Sequence, residues 1–418
     1  MLVSQEFGIS VTYAIAPFSL FLLGTAFAPI YTPHLSERFG RRLIYLVAAF
    51  LSATFTIGSS QARSIEALCA TRFFSGFFGG PIVVLIEGTY ADIWPAQKTL
   101  LYYSNLAWAS YLGAAAGPLV NGYLVQNLNW RWTQYTPLIM YLLVILFATG
   151  MPETYGRQII RTIAHRANKP HNLPLALSGV TIRQMATLTI WHPLLMLVSD
   201  PITILFTLQV MLVFGTVFQW FIAVPTVLHL AYNFTPGQSG LAFISAIGAI
   251  PFAIATCSII EALVYPTTLR RAGGDISKID LEYRLLPAFL GGALQSAALF
   301  WIGWTAGVSP HAAVPIVGTW MFVWGNLVIL ICYVSYIFDA YPPQGTLSAL
   351  TTGAVMRILF AAATPLLILE MITKLGGGVT YSIWGGISAG FIGITALLYI
   401  FGKSLRRTSC FSQPVDFS

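Results

Sequence analysis

Charged residues are scarce in this sequence. Asp, Glu, Lys and Arg make up 8% of the 418 residues, whereas soluble globular proteins contain about 25%. Hydrophobic residues make up 56%, so the chain lacks the polar surface that water requires. The composition excludes a soluble enzyme, a secreted disulfide scaffold and a disordered protein. In a membrane protein, the basic residues behind the net charge of +7 indicate which loops face the cytosol. We therefore interpret this charge as a topology signal and expect no nucleic-acid partner.

Motifs for metal, nucleotide and covalent chemistry are also missing. The sequence has no CxxC pair, no phosphate-binding glycine loop and no Ser/His/Asp arrangement, so we expect no metal, no cofactor and no catalytic residues. Its four cysteines are interpreted as small hydrophobic residues. Without a P-loop, an ion gradient is the expected energy source. The first residues also lack the basic region and cleavage site of a signal peptide.

Long apolar runs dominate what is present. A membrane-spanning helix needs about 20 apolar residues, and runs of this length, rich in Gly, Ala and aromatic residues, predict an all-α polytopic membrane protein. Eleven runs are found, at residues 10–33, 43–61, 65–91, 99–126, 131–150, 199–228, 238–265, 285–306, 313–338, 345–369 and 380–401.

Basic residues alternate between the loops. Sixteen of the 21 fall after the first, third, fifth, seventh and eleventh runs. Only Arg63, Arg131 and Lys374 fall on the opposite side, and Arg72 and Arg357 lie within runs. Positive loops stay in the cytosol, so we expect a cytosolic C-terminus and, eleven spans away, an external N-terminus.

A polar stretch with several prolines divides the runs into five and six. Two-bundle transporters are commonly built from equal, repeated halves, so we expect that one helix is missing from the first half. The predicted parts are a five-span bundle, a cytosolic linker, a six-span bundle and a cytosolic tail, at residues 1–150, 151–198, 199–401 and 402–418.

The segment SERFGRR at 36–42 resembles the loop signature of the major facilitator superfamily. In that family the loop lies between the second and third helices, which agrees with a missing first helix. Physically, a glycine turn with a carboxylate before it and arginines after it forms a tight, charged helix junction. Pro33 and Glu37 depart from the pattern, where glycine and aspartate are usual. The alternative is an ordinary basic loop.

Further segments resemble one subfamily, the fungal drug:proton antiporters of the twelve-span type. They are RFFSGFFGG at 72–80, GTYADIWP at 88–95, GAAAGPLVNG at 113–122, WRW at 130–132, PETYG at 152–156, EYRL at 282–285 and DAYPP at 339–343. The resemblance implies a two-bundle transporter, similar to polyamine, multidrug and mycotoxin exporters, that rocks about a central site. Its expected partners are a small-molecule substrate, protons and the lipid bilayer. We expect a monomer in the plasma membrane, with the vacuolar membrane as the alternative.

Ionisable residues within or beside spans are candidates for proton coupling and gating, because a buried charge is costly. We expect Asp92 to pair with Arg38 or Arg41 and close the cytosolic side. Arg72 either tunes a carboxylate or caps backbone carbonyls, and Glu87 either titrates or is merely solvated. The full set is Arg72, Glu87, Asp92, Glu37, Arg38, Gly40, Arg41 and Arg42.

The segment at 113–122 supplies a second group of candidates. Gly113, Gly117 and Gly122 are spaced for close helix packing, and Pro118 kinks the helix. In the family this signature accompanies antiport rather than symport. Ordinary small-residue packing is the alternative.

Polar residues among aromatic ones near mid-span are candidates for a substrate cavity, since such walls suit amphipathic or cationic organic molecules. Aromatic stripes that face lipid or core are the alternative. The candidates are Gln209, Gln219, Trp220, Trp320, Trp324, Asn326 and Arg357. The predicted function is proton-coupled efflux of a drug, toxin or polyamine. The alternatives are a transport-incompetent truncated facilitator, an uptake symporter, and a membrane enzyme or receptor.

Overall fold

Helices account for the fold, because a chain inside lipid must satisfy its backbone N–H and C=O groups within each segment. A computed structural model describes residues 2–93, 99–166, 191–271, 273, 275, 279–341 and 343–409. These residues form helices and short connections, and none of them lies in a β-strand. The predicted all-α membrane fold is therefore confirmed.

The helices group into two units. The first unit comprises residues 1–102 and 130–194. Its helices are α1 (Leu2–Phe7), α2 (Val11–Ala26), α3 (Ala28–Phe39), α4 (Arg41–Ser60), α5 (Ile65–Ile93), α7 (Trp132–Gly150) and α8 (Gly156–Arg166).

The second unit comprises residues 103–129 and 195–418. It therefore contains most of α6, which the sequence analysis assigned to the first bundle. Its helices are α6 (Thr99–Asn127), α9 (His192–Ser199), α10 (Pro201–Tyr232), α11 (Pro236–Leu241), α12 (Ile244–Arg271), α13 (Leu286–Thr305), α14 (Ala313–Ala340), α15 (Pro343–Leu375) and α16 (Gly377–Thr408), with a 3-10 turn at Leu281–Leu285.

The number of spans is close to the prediction of eleven. Nine helical segments of the described chain are long and apolar enough to cross a membrane, and α2 with α3, bent by 45°, add a tenth if they form one span. Helix α6 is 29 residues long but is not among these segments. It carries Asn105, Asn121, Gln126 and Asn127, and these polar residues explain the difference.

Helices α2 and α5 cross with their backbones in contact. A Cβ on Gly24 would lie 2.8 Å from Phe77 N, and a Cβ on Gly76 would overlap the carbonyl oxygen of Phe21. Thr25 Oγ1 donates a hydrogen bond to Gly76 O across the same crossing, at 3.3 Å. Glycine at both positions therefore permits an approach that a larger side chain would prevent.

The core of the second unit is built on two helix pairs, α10 with α15 and α13 with α14. A Cβ on Gly291 of α13 would lie 2.8 Å from Gly325 O of α14. Buried tyrosines bring hydroxyl groups into this core, and Tyr333 shares a hydrogen bond of 2.9 Å with Thr395 Oγ1. A buried hydroxyl needs such a partner because an unpaired one costs about 1–3 kcal/mol.

Short helix α1 packs on the end of the first unit beside Trp130. The Phe7 ring meets the Trp130 ring edge-on at 6.2 Å, and Trp130 Nε1 donates to Glu6 Oε2 at 2.5 Å. Arg131 Nη1 also donates to Glu6 Oε2, at 3.0 Å. Glu6 therefore ties α1 to the start of α7, in the region that charge alternation predicts to be external.

The Glu6–Arg131 contact predicts a pH-dependent position of α1. The Arg131 hydrogen bond holds the pKa of the Glu6 carboxyl below its ordinary value of 4.5. A lowered pKa means that the contact stabilises docking above the ordinary value and is lost as the pH falls through the lowered one. We expect Glu6→Gln to increase local opening at neutral pH by about two- to fivefold, the range for an exposed ion pair.

Hydrogen–deuterium exchange of residues 2–9, corrected for intrinsic rates, measures this opening. Glu66→Gln, which neutralises an exposed carboxylate of the same unit, is the matched control and should leave exchange unchanged. Equal exchange in Glu6→Gln and the parent protein would contradict the prediction.

Candidate functional site

A charged contact in the first unit joins the start of α4 to the end of α5. Arg41 Nε lies 2.5 Å from Asp92 Oδ2, and Arg41 Nη2 donates to Asp92 Oδ1 at 3.1 Å. The two side chains are 13% and 22% exposed, so water screens this forked pair only in part. Of the two arginines expected beside Asp92, Arg41 forms the pair. The Arg38 guanidinium lies instead over the Phe39 ring, at 5.5 Å.

Two glycines make room for this pair. A Cβ on Gly88 of α5 would overlap the Arg41 guanidinium. The arginine therefore passes α5 at a position that has no side chain. Gly40 has φ of +84°, a conformation that favours glycine, and a Cβ there would overlap the Glu153 carboxylate. The glycine of the 36–42 segment is thus required by backbone conformation and by space.

Glu153 is a functional candidate that the sequence analysis did not select. Its Oε1 accepts hydrogen bonds from the backbone N–H of Arg41 at 3.0 Å and of Tyr155 at 2.9 Å. Its Oε2 accepts from the N–H of Arg42 at 3.3 Å. The carboxylate therefore caps the first turn of α4, where free N–H groups and the helix dipole favour an anion. The PETYG segment was the available signal.

Arg42 and Glu37 have separate roles. Arg42 Nε and Nη2 donate to the carbonyl oxygens of Ala148, at 3.2 Å, and Thr149, at 2.6 Å, at the end of α7. These bonds satisfy carbonyls that a helix end leaves unpaired. Glu37 interacts electrostatically with His34 instead. We call the other residues of this region the Arg41 cluster: Gly40, Arg41, Arg42, Asp92 and Glu153.

Arg72 lies beside two aromatic residues of the first unit. Its guanidinium lies 6.0 Å from the Phe21 ring centre and interacts electrostatically with Tyr141. Among the described residues no carboxylate forms an ion pair with it. Glu87 is on α5, but its side chain lies outside what the structure describes.

The second unit has its own arginine–carboxylate contacts at helix ends. Arg284 Nε donates to Asp339 Oδ2 at 2.8 Å, and Arg284 Nη1 pairs with Glu261. Arg406 Nη1 lies 2.5 Å from Glu282 Oε1. The EYRL and DAYPP segments are therefore joined in space by their charged residues.

A chain of hydrogen bonds crosses the core of the second unit. Tyr111 OH of α6 donates to Asn326 Oδ1 at 2.5 Å. Asn326 Nδ2 donates to Val213 O at 3.1 Å and lies 3.3 Å from Thr216 Oγ1. Gln295 Nε2 donates to the same Thr216 oxygen at 3.1 Å. The chain links α6, α10, α13 and α14 through polar groups of which Asn326, Thr216 and Gln295 are fully buried.

Arg357 of α15 lies near this chain. Its guanidinium is 4.4 Å from the ring centre of Phe214 and interacts electrostatically with Tyr111. Arg357 follows Pro343, the first residue of α15, by about 21 Å of helix, which is mid-span. We call this set the Asn326 cluster: Tyr111, Thr216, Gln295, Asn326 and Arg357.

The other cavity candidates lie in separate groups of the second unit. Gln209, Gln219 and Trp220 are buried in α10, and the Trp220 ring is 4.5 Å from that of Phe243. The Trp320 and Trp324 rings lie 5.1 Å apart. The structure thus brings Asn326 and Arg357 to one site with Tyr111, Thr216 and Gln295, three residues that the sequence analysis missed.

Only part of the predicted glycine packing on α6 is present. A Cβ on Gly122 would lie 2.5 Å from Pro236 O of α11. In the same contact, a Cβ on Gly240 of α11 would lie 2.8 Å from Pro118 O of α6. Gly113 and Gly117 have no described atom within 4 Å of a built Cβ. Among the described residues, close packing by glycine on α6 is therefore seen only at its Gly122 end.

Neither cluster has the composition of a metal centre. Within the residues that the structure describes, no group of three or more His, Cys, Asp or Glu side chains is placed to hold a metal ion. The Asn326 cluster offers hydrogen-bonding groups, one guanidinium and the ring of Phe214, which are groups that suit the binding of a small molecule.

Comparison with known proteins gives a family for most of the chain. The model of the Major Facilitator Superfamily matches residues 1–365. The chain is 29% identical to the MFS-type transporter traF of Penicillium crustosum over 411 residues, 98% of this chain and 83% of that protein. It is 28% identical to the MFS-type efflux pump MFS2 of Trichophyton rubrum over 421 residues, 99% and 70% of the two chains.

Solved structures agree on the fold. The proton:xylose symporter XylE superposes with a TM-score of 0.63 at 17% sequence identity, covering 96% of this chain and 89% of that one. At this identity the likeness concerns the fold alone.

A pair of glycine substitutions tests the geometry of the Arg41 cluster. Alanine favours a helix over glycine by about 1 kcal/mol, so a Gly→Ala change in a helix should stabilise unless space is lacking. We expect Gly88→Ala to be less stable than a Gly→Ala change in open space by about 1 kcal/mol, because the methyl group displaces the Arg41 guanidinium from Asp92, a partly exposed ion pair of about that value.

Gly117→Ala is the matched control, since nothing described lies within 4 Å of its Cβ position. Thermal unfolding in detergent measures both variants. A melting temperature for Gly88→Ala at or above that of Gly117→Ala would show that the arginine does not occupy the space over Gly88.

Proposed function

The chain belongs to the major facilitator superfamily and is a multi-pass membrane transporter, and from this premise we propose that it exports small amphipathic organic molecules in exchange for protons. The relatives that support export are named as a transporter and an efflux pump. The observation that carries the proposal is the Asn326 cluster, which places buried polar groups beside aromatic surface at mid-span.

The Asn326 cluster provides a recognition surface. Asn326, Thr216 and Gln295 offer amide and hydroxyl groups that exchange hydrogen-bond partners without changing charge. Among the described residues, the Oε1 atom of Gln295 is buried without a hydrogen-bond partner, and a ligand donor would satisfy it. A buried polar group of this kind favours a ligand that carries matching groups over one that lacks them.

Arg357 narrows the class of substrate. The sequence is compatible with drugs, toxins and polyamines as substrates. A guanidinium at mid-span repels a polycation and attracts a carboxylate or another anionic oxygen. We therefore favour neutral or acidic amphipathic molecules, such as toxins, over polyamines.

The Arg41 cluster suits a gate on the side that the basic loops assign to the cytosol. Its fork of two hydrogen bonds fixes α4 against α5, and its partial exposure leaves the pair accessible to competing water. In this proposal the contact opens and closes during alternating access, with a cytosolic C-terminus and the plasma membrane as the site of export.

Reconstituted vesicles test export and the cluster together. The probes are anilinonaphthalene sulfonate, an amphipathic anion, and rhodamine 6G, an amphipathic cation. We expect an imposed proton gradient to drive the anion, and a protonophore to stop it. Arg357→Gln should slow the anion by about tenfold or more, the value of one charge-assisted hydrogen bond.

Arg63→Gln, which removes an exposed arginine of the loop after α4, is the control and should transport normally. Anion transport at the same rate with and without the proton gradient would overturn proton coupling. Equal anion transport by Arg357→Gln and Arg63→Gln would overturn the role of Arg357.

A further inference from the structure

Asp200 is a buried acidic residue at the start of α10. It is the N-cap residue of that helix, on the side that the basic loops assign to the cytosol, and it is fully buried. In the part of the chain that the structure describes, no basic side chain forms an ion pair with it. A buried carboxylate without a cation is costly, and such a group commonly binds a proton instead.

Both hydrogen bonds to the Asp200 side chain are made by one oxygen. Oδ2 accepts from the backbone N–H of Thr203 at 3.0 Å and from the hydroxyl group of Tyr341, which also lies 3.1 Å from Thr203 Oγ1. Oδ1 is buried and has no partner among the described residues. The acid form has one carbonyl oxygen with two lone pairs and one O–H group. The arrangement therefore matches an acid whose carbonyl oxygen is Oδ2 and whose proton is on Oδ1.

The ionised form fits this arrangement less well. A charged oxygen without a donor is more costly to bury than a neutral O–H group without an acceptor. Burial raises the pKa of the Tyr341 phenol, so Tyr341 keeps its own proton and remains a donor. The neutral acid is thus the form of Asp200 that the buried donors and the missing cation both favour.

The titratable groups around Asp200 lie on the helices that pack against α10, which are α14, α15 and α16. Tyr336 of α14 interacts electrostatically with Asp200 and accepts a hydrogen bond of 3.2 Å from Arg406 of α16. The charge of Arg406 is paired with Glu282. The set of charges on this side is therefore matched without Asp200.

The other neighbouring segments add no paired charge to Asp200. Lys403 and Arg407, also near the end of α16, are exposed. Helix α15 has no titratable residue before Arg357, and α9 has only His192, eight residues before Asp200.

We propose that Asp200 carries the exchanged proton: it holds the proton while buried against Tyr341 and Thr203, and it releases the proton to the cytosol when the start of α10 separates from Tyr341. This inference rests on the proton exchange proposed above. Release breaks the Oδ1–H bond, transfers the proton to water and leaves a carboxylate, which water and the helix N-terminus stabilise. Because the charged form is costly to bury, α10 returns to the closed arrangement only after Asp200 has bound a proton again.

Buried polar atoms of α10 provide a route for that proton from the Asn326 cluster. Thr207 Oγ1 and Gln209 Oε1 lie on α10 between Asp200 and Thr216, and neither has a hydrogen-bond partner in the described structure. Ordered water commonly satisfies buried groups of this kind. In this proposal such water transfers protons from the mid-span site to Asp200.

Infrared spectroscopy of the whole protein in a detergent without ester groups tests protonation. A protonated carboxyl group absorbs as a carbonyl group, apart from carboxylates and amides. We expect this band in the parent protein at neutral pH and its loss in Asp200→Asn. The matched control is Asp280→Asn, which removes an exposed carboxylate paired with Lys403 and should keep the band. A parent protein without the band, or a band that remains unchanged in Asp200→Asn, would overturn the proposal.

Thermal unfolding tests the same point without transport. Asparagine resembles the acid form, because its carbonyl oxygen accepts the same two hydrogen bonds and its NH₂ group replaces the O–H group. We expect Asp200→Asn to keep the melting temperature of the parent protein. Asp200→Ala should lower it, because the Thr203 and Tyr341 donors lose their acceptor. A melting temperature of Asp200→Asn as low as that of Asp200→Ala would show that the site holds a charge, which contradicts the proposal.

Reconstituted vesicles test the coupling. Asp200→Asn should lose transport of anilinonaphthalene sulfonate driven by a proton gradient, and should retain exchange of the probe at equal pH, which needs no net proton movement. Equal proton-driven transport by Asp200→Asn and Asp280→Asn would overturn the role of Asp200. A parent protein that transports equally with and without the gradient would instead overturn the exporter proposal, and the infrared band distinguishes the two failures.

Discussion

The cost of removing charge from water organises this molecule. An ionised group that is partly buried is costly unless it is paired, and three arginines at helix ends are held by carboxylates: Arg41 by Asp92, Arg284 by Asp339 and Arg406 by Glu282. Each pair joins segments that are distant in sequence. The surrounding backbone accommodates the pairs, as shown by Gly88, whose missing side chain is the space that the Arg41 guanidinium fills.

Four members of the Asn326 cluster meet the same cost with neutral groups. Tyr111, Asn326, Thr216 and Gln295 bury hydroxyl and amide groups that hydrogen-bond to one another, while Gln295 Oε1 has no partner among the described residues. A neutral hydrogen bond contributes about 1 kcal/mol, and leaving a buried partner unpaired costs more. Such a chain is stable when closed, and each member can turn to a ligand that supplies a replacement bond. The charged clusters fix geometry, whereas this one is suited to recognition.

Sequence patterns predicted the parts that depend on local periodicity and missed those that depend on distant contacts. Apolar runs predicted the helices because a span needs a continuous apolar length. The loop at 36–42 predicted an arginine partner for Asp92 but not which one, since Arg38 and Arg41 differ only in the direction set by the Gly40 turn. Tyr111 pairs with Asn326 across 215 positions, and no periodicity in either helix indicates that contact. The cap by Glu153 was missed for the same reason.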